Sequence, residues 1–520
     1  MGSARTWTQR FSARGLRQRG FSLALTVLVV GCGSHSARAT SQATNPAPAA
    51  GSAPAAAAVP AGDWPTFGYD SARSGVAPAA GITAANARQL TVRTVHIDGI
   101  VDSAAVELHA VRVKGHRRDL IVVDTTYGRT IAIDPATGRQ LWEFRPSGVN
   151  ATIGNPQVTT ATPTLDPNRR YVYSASPNGV IHKLSVATGG QVWSRSITFD
   201  PAHEKVASAL TVSGRYVVAV TGGYFGDAPP YDGHVVMIDR TSGGIVNVWN
   251  TECSDQHRLL RAASCPVTNT RGDNAIWSRA GAVIEPGSGR ILVATGNGPF
   301  DGRTSWGDSV LELTPDATRL LHNWTPTNQT ALSKADTDLG STAPAVLPTY
   351  HGLRLAVQGG KDAKLALLDL ARLNGTAGPA SGRLGGELAQ IDAPGSDLVY
   401  SAPAVQTIGG NIYVFATTSS GTAAYQLVGG ARPRLRVAWQ NGTSGTSPVL
   451  SGDLLYVYNQ QDGALIIRNP LSGAQIRSLP VPVGHWNSPI VVGGRIILPT
   501  GSYFDKRGSS TIAIYHLPGR

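Results

Sequence analysis

The sequence predicts an all-β fold: an eight-bladed β-propeller of four-stranded antiparallel blades, closed by an N-terminal strand that completes the last blade. Three observations predict it. The 520 residues include 60 Gly and are only 15% charged and 7% aromatic, which suits short strands joined by tight turns. A turn followed by Trp recurs along the chain. Asp134-Pro135-Ala136-Thr137-Gly138 running to Trp142 is echoed by Ser185 to Gly189 running to Trp193, and by Asp239 to Gly243 running to Trp249. Looser copies are Thr314 to Trp324, Arg434 to Trp439 and Asn469 to Gly473. Third, a small residue, then Pro or Ala, then an apolar residue opens the first strand of each unit, beginning at Ala104, Thr162, Ser208, Arg279, Ala343, Ala402, Ser447 and Ser488. Eight openings about fifty residues apart, each followed by alternating strands, point to a propeller.

The chain begins with a leader. Residues 1–31 hold Arg5, Arg10, Arg14, Arg17 and Arg19, no acid, and the apolar run Phe21 to Val30. That is the layout of a secretory signal and is too short for a spanning helix, which needs about 20 apolar residues. It ends in Val29-Val30-Gly31-Cys32, which resembles a bacterial lipoprotein box, so Cys32 is expected to carry lipid; the alternative is an ordinary signal cleaved near Ala37–Ala39. Residues 32–62, rich in Ala, Pro, Ser and Thr, bury too little apolar surface to fold and read as a flexible tether. The propeller is expected to span residues 63–520. At its start Ile82 to Leu90 reads as a short helix with Thr83 as N-cap. The strand after it, Leu90 to Ile97, is the expected partner of Thr511–His516, because the last unit has only three strands and an open edge invites aggregation.

The three cysteines divide naturally. With Cys32 lipidated, Cys253 and Cys265 form a pair suited to a disulfide in an oxidising compartment, and neither has the neighbours of a zinc site. The net charge of +12 is scattered, without the clustering that a nucleic-acid surface needs.

Strand order places one set of loops at one end of the ring, and the chemistry collects there. Trp277 lies in the connection entering the fourth blade. Asn297 and Asp308 lie in that blade's loop between its second and third strands. Asp227 occupies the same loop one blade earlier and Lys361 one blade later, while Asp336 and Asp338 enter the fifth blade. His485-Trp486-Asn487, entering the last blade, faces the same end. Each residue also has a structural reading: a packing Trp at a blade edge, a tight turn at Gly296-Asn297-Gly298, a strand-starting Asp, a solvated Lys.

These residues resemble those of the pyrroloquinoline quinone (PQQ) dehydrogenases and the wider group of PQQ-like repeat propellers. The similarity runs from Asp63 to the C-terminus and starts at Asp63-Trp64-Pro65-Thr66-Phe67-Gly68-Tyr69-Asp70 with Arg73-Ser74-Gly75. The resemblance implies that Trp277 stacks on the quinone, that Thr295-Gly296-Asn297 supplies a calcium ligand, and that Asp308 is the catalytic base beside the metal. It further implies that Lys361, ahead of Leu365 to Asp369, contacts the quinone oxygens. Asp227 stands near the place of a third metal ligand, where the family has Glu. PQQ is a flat polyanion, so an aromatic floor and a cation suit it, and Ca²⁺ takes six to eight oxygens. The adjacent cysteine pair of many such dehydrogenases is missing here. A Cys-x-x-Cys-His haem motif is missing too, so electrons would pass to a separate acceptor. The expected function is a PQQ- and calcium-dependent oxidation of an alcohol or sugar by a membrane-anchored envelope protein. The alternative is a non-catalytic envelope scaffold resembling the propeller of the outer-membrane β-barrel assembly machinery, whose partners would be envelope proteins.

Overall fold

A computed structural model describes residues 58–148, 154, 156–224, 229–262, 264–265, 274–379, 382–505 and 510–519. Cys32, Asp227 and nearly all of the expected leader and tether lie outside them. The ring closes with eight four-stranded antiparallel blades. Blade one comprises Val106–Val113, His116–Asp124, Thr130–Ile133 and Gln140–Phe144, and blade four comprises Val283–Ile284, Ile291–Ala294, Val310–Leu313 and Leu320–Trp324. Blade eight is built from Ile490–Val492, Arg495–Thr500 and Ser510–His516. Its fourth strand is Thr91–Ile97, running antiparallel to the C-terminal strand from Thr91 opposite His516 to Ile97 opposite Ser510. The two ends of the propeller are thus hydrogen-bonded together, as the unfinished last unit predicts.

The repeated turn and Trp join neighbouring blades. Trp142 in the outer strand of blade one donates its indole N–H to Val186 O of the next blade at 2.9 Å. A Cβ on Gly189 of that turn would stand 2.6 Å from the same ring. Trp193 repeats the arrangement on Arg240 O and Gly243, and Trp439 on Pro470 O and Gly473. The Thr-Gly or Ser-Gly of one blade is therefore the seat for the Trp of the blade before it. Gly is needed for the close approach and for the left-handed φ of +75° at Gly189.

The hub is filled by the segment after Asp63. Trp64 bridges Glu107 of blade one, and Pro65 O accepts from Leu165 N–H of blade two. Ser71 O, Ser74 O and Gly75 O accept from Ile284, Val405 and Leu450 of blades four, six and seven. Val76–Ala77 adds a parallel fifth strand inside blade seven. Arg73 completes the hub: its buried guanidinium donates to Ala280 O, Thr66 Oγ1, Phe67 O, Leu210 O and Thr211 Oγ1 at 2.5–3.1 Å.

Two local expectations change. Ile82 to Leu90 is not a helix; only Ala87–Gln89 forms a 3₁₀ turn, with Asn86 as its N-cap. Thr83 and Asn86 instead bond each other reciprocally, Asn86 N–H to Thr83 Oγ1 and Thr83 N–H to Asn86 Oδ1. So short a segment does not overcome the cost of helix nucleation. A helix does form where the pattern gave none, at Gln329–Lys334 between blades four and five. Among the described residues no helix is long and apolar enough to cross a membrane.

Replacing Arg73 with Met should strip hydrogen bonds from several buried acceptors in blades three and four at once. The expected loss is at least about 3 kcal/mol, read as a lower thermal unfolding midpoint; an unchanged midpoint would mean that the hub does not hold the ring.

Candidate functional site

In each blade the connection entering the innermost strand and the loop between strands two and three share one end. Trp277 and Arg279 enter blade four, Asp336 and Asp338 blade five, Tyr400 blade six, and His485 and Trp486 blade eight; Lys361 lies in the second-to-third loop of blade five. These side chains meet at the mouth of the ring. Trp277 Nε1–H donates to Asp338 Oδ2 at 2.7 Å. Lys361 Nζ lies 2.5 Å from Asp338 Oδ1 and 3.2 Å from Asp336 Oδ1, and 5.4 Å from the centre of the Trp277 ring. Trp277, Asp338 and Lys361 therefore form one contact group. Burial raises the Asp338 carboxyl, with Lys361 and Trp277 opposing. Burial would lower the Lys361 ammonium, but Asp338 and Asp336 outweigh it, so the net shift is upward.

Beside this group stands an aromatic ladder. Tyr400 stacks on Trp486 with centroids 5.0 Å apart, and Trp486 stacks on His485 at 4.4 Å. Trp486 faces Trp277 at 6.4 Å and 27°. Asp102 anchors the far end: it accepts from Arg279 at 2.9 Å and Tyr503 N–H at 2.9 Å, and its Oδ2 lies 2.8 Å from His485 Nδ1. Burial alone would raise this carboxyl, yet Arg279 and His485 hold it down to about 2. Lys205, also buried there, lies 5.0 Å from the centre of the Tyr503 ring, and desolvation lowers its ammonium to about 7.

The loop of blade four has a different part from the expected one. Asp308 is completely buried with a left-handed φ of +48°. Its Oδ1 accepts from Leu339 N–H at 3.1 Å, and its Oδ2 lies 3.4 Å from Gln329 Nε2 of the helix. Burial pushes its carboxyl up to about 8, and Asp338 adds to the rise. Asp308 thus supports the turn that carries Asp338, and Asp338 is the carboxylate in contact with Trp277 and Lys361. Gly296 explains why the Thr-Gly-Asn run sits here: a Cβ on it would lie 3.0 Å from Asp338 Oδ2 and 3.3 Å from Trp277 Nε1. Asn297 is half-buried in the same loop and uses its carbonyl to accept Asn274 N–H. Cys253 and Cys265 are joined in a disulfide in the connection leading to Trp277.

The sequence reading put Asp338 on this face without giving it a role. The available signal was its position, an acid just ahead of the Ser341-Thr342-Ala343-Pro344 opening and one blade on from Trp277. Arg279 was read only as a blade opening, and Tyr400 and Asp102 were not singled out, because each is ordinary in isolation and matters only through the ring.

An indole floor and a cation are the chemistry a planar anionic quinone requires, so Trp277 and Lys361 fit PQQ in type. A flat ring between Trp277 and Trp486 needs planes about 7 Å apart, and 6.4 Å between centroids is too little; Trp486 must move aside for such a ligand. The calcium set does not fit. Asp308 faces inward, the place beside Asp336 and Asp338 is taken by the Lys361 ammonium, and no cluster of three His, Cys, Asp or Glu exists among the described residues.

Comparison with known proteins gives the same class. A family profile described as outer membrane protein assembly factor BamB matches residues 99–300. The 1-butanol dehydrogenase (cytochrome c) of Thauera butanivorans is 25% identical over 183 residues, 35% of this chain and 25% of that protein. Quinohemoprotein alcohol dehydrogenase ADH IIB of Pseudomonas putida is 23% identical over 292 residues, 51% of this chain and 39% of that protein. The chain therefore spans well under half of each of these relatives. In structure, quinohemoprotein alcohol dehydrogenase from Comamonas testosteroni superposes with a TM-score of 0.65 at 16% identity, covering 88% of this chain and 81% of the other. A europium-containing methanol dehydrogenase gives 0.64 at 14%, covering 88% and 98%. The fold is thus that of PQQ-like eight-bladed propellers. The chain is similar to PQQ-like repeat propellers, as its sequence resemblance implies, and it matches quinoprotein alcohol dehydrogenases at low identity.

The raised Asp308 carboxyl sets a pH dependence. Its folded pKa lies above the unfolded value, so its contribution is fully present below about pH 4 and is lost as pH rises through about 8. Asp308→Asn mimics the protonated form and should flatten this slope. Between pH 5 and 8 the wild type should lose at least about 1.4 kcal/mol more than the variant, one pKa unit's worth, in urea unfolding. Parallel slopes would mean that Asp308 is ionised in the fold.

Proposed function

We propose that the protein is a quinoprotein-dehydrogenase-like oxidoreductase of the cell envelope that oxidises alcohols or sugars with PQQ. The contact group of Trp277, Asp338 and Lys361 carries this reading. Trp277 offers a flat apolar floor, oriented by its bond to Asp338. Lys361, fixed between Asp336 and Asp338, brings positive charge to that floor. Asp338 is the carboxylate placed to take a proton from a substrate hydroxyl, and Asp308 holds its turn. PQQ, when bound, supplies the electron acceptor. A separate carrier protein is proposed as the final electron acceptor, in keeping with the relative named as a cytochrome c-linked dehydrogenase. The relatives named as a cytochrome c-linked butanol dehydrogenase and a quinohemoprotein alcohol dehydrogenase support an alcohol as substrate. Lipid on Cys32, a tether to about residue 62 and an exported propeller are parts of the same proposal.

One observation favours the second reading, a non-catalytic envelope binding protein. The space over Trp277 is closed by Trp486 and Tyr400, and Lys361 is already engaged by two carboxylates. The matching family profile also bears the name of an assembly factor.

Purified protein supplied with PQQ, with and without Ca²⁺, should reduce an artificial electron-accepting dye when offered short alcohols or sugars. Asp338→Asn should lower the rate about 100-fold or more, the usual loss for a general base, with a smaller loss for Asp308→Asn. Absence of dye reduction and of any PQQ absorbance shift across the panel would leave the binding-protein reading.

A further inference from the structure

The positive charge that is scattered along the sequence is gathered by the fold. In every blade the hairpin joining strands one and two and the turn joining strands three and four lie at the end of the ring away from the mouth. There the innermost strand of blade one, Val106–Val113, has 8 residues, against 2 in blade two and 3 in blade eight. Its long hairpin leans over blade two, where Lys114 N–H donates to Ala187 O at 3.1 Å; beside that contact, Val186 N–H donates to Arg170 O at 2.9 Å. Arg118 of the same hairpin pairs at 3.2 Å with Asp134, in the turn that carries Arg139. These loops form one surface. Across the hairpin Arg112 stands directly opposite Arg117, a like-charge pairing that destabilises a sheet. Lys114 at the tip has a left-handed φ of +47°, which Asn or Gly adopts at less cost. Neither feature stabilises the fold.

Arg112, Lys114, Arg117, Arg139 and Arg170 are all exposed, and none has a carboxylate partner among the described residues. The acids of these loops are already engaged: Asp119 by His109 and Arg495, Asp134 by Arg118, and Asp166 by Arg240. Exposed carboxylates lie instead at the mouth, at Asp98, Asp336 and Asp392. A cluster of unpaired cations attracts a polyanionic surface. The point of chain entry says which one. Asp63, at the end of the expected tether, accepts His109 N–H at 2.8 Å and pairs with Arg169 at 2.8 Å, so the N-terminal segment joins the ring at this same patch. An anchor on that segment would hold this end of the ring, and not the mouth, against the membrane. We propose that this end of blades one and two docks on an anionic lipid surface, with the mouth turned away from the bilayer. The docking face serves a dehydrogenase and a binding protein alike and does not rest on the oxidoreductase reading.

The test uses the chain from Gly33, which keeps the tether and the whole ring closed by Thr91–Ile97. It lacks the basic leader and Cys32, so neither contributes to binding. Co-sedimentation is measured with vesicles of phosphatidylcholine alone or in equal mixture with phosphatidylglycerol. The mixed vesicles should bind the chain and the neutral ones should not, with binding lost at about 1 M salt, where screening is complete beyond about 3 Å. Arg112→Gln, Lys114→Asn and Arg117→Gln together should lower affinity about 100-fold, each cation at a lipid surface being worth about 5-fold, without lowering the thermal midpoint. Arg112→Lys with Arg117→Lys keeps the charge and should bind like the parent. Removing three exposed cations of the mouth instead, by Arg258→Gln, Arg303→Gln and Lys364→Gln, should cost less than about 5-fold. The proposal is overturned if mixed vesicles bind no better than neutral ones, if the hairpin triple variant binds like the parent, or if the mouth triple variant loses as much. It is also overturned if duplex DNA at equal phosphate concentration strips the chain from the vesicles, which would make nucleic acid the partner. Vesicle binding by a chain without PQQ-dependent dye reduction would uphold the docking face and reject the oxidoreductase reading alone.

Discussion

The structure depends on a single buried guanidinium. Arg73 lies in the hub where the innermost strands converge, and it bonds to the segment it came from and to blades three and four. A ring of blades leaves an axial gap lined by backbone and hydroxyl groups, all of which need partners when shut off from water. An apolar side chain would fill that gap without satisfying them. Arg has enough donors, fixed in a plane, to reach several acceptors at once. The rest of the N-terminal segment extends the same solution from blade to blade, so the propeller is built around its own beginning.

That arrangement leaves one end of the ring for chemistry. The entering connections deliver Asp102, Trp277, Arg279, Asp338, Tyr400 and Trp486 to the mouth, and the hub segment fills the channel beneath them. Their charges are almost fully paired. Asp338 meets Lys361, and Asp102 meets Arg279 and His485. Paired buried charges are rigid and directional, and losing either partner leaves the other uncompensated. The mouth is consequently preorganised, but for a planar ligand it is also closed until Trp486 moves.

Much of this was legible in the sequence, because repetition makes weak signals add. No single Thr-Gly turn identifies a blade, but the same turn followed by Trp fixes the phase of the ring; the structure shows why, since the Gly of one blade seats the Trp of the last. The missing fourth strand of blade eight located its donor in Thr91–Ile97 for the same reason. Site residues were less legible. Trp277 and Lys361 come into contact, but the resemblance put the catalytic carboxylate at Asp308, through the Gly307-Asp308 match, while the contacts put Asp338 beside the indole and the ammonium. The Gly307-Asp308 match follows the chain, whereas contact in space runs across the blade boundary through Gly296 and Gly340, whose missing side chains let the two loops touch. The segment from Ile82 misled for a simpler reason, since its Thr and Asn satisfy each other and leave only a single turn.

The central claim is that the Trp277–Asp338–Lys361 group is a quinone floor. The most direct measurement is a crystal structure of the protein soaked with PQQ. The account predicts a flat ligand stacked on Trp277, its oxygens beside Lys361 Nζ, with Trp486 displaced from its 6.4 Å approach. Trp277 and Trp486 still facing each other at that spacing in the presence of saturating PQQ, with no ligand between them, would contradict it.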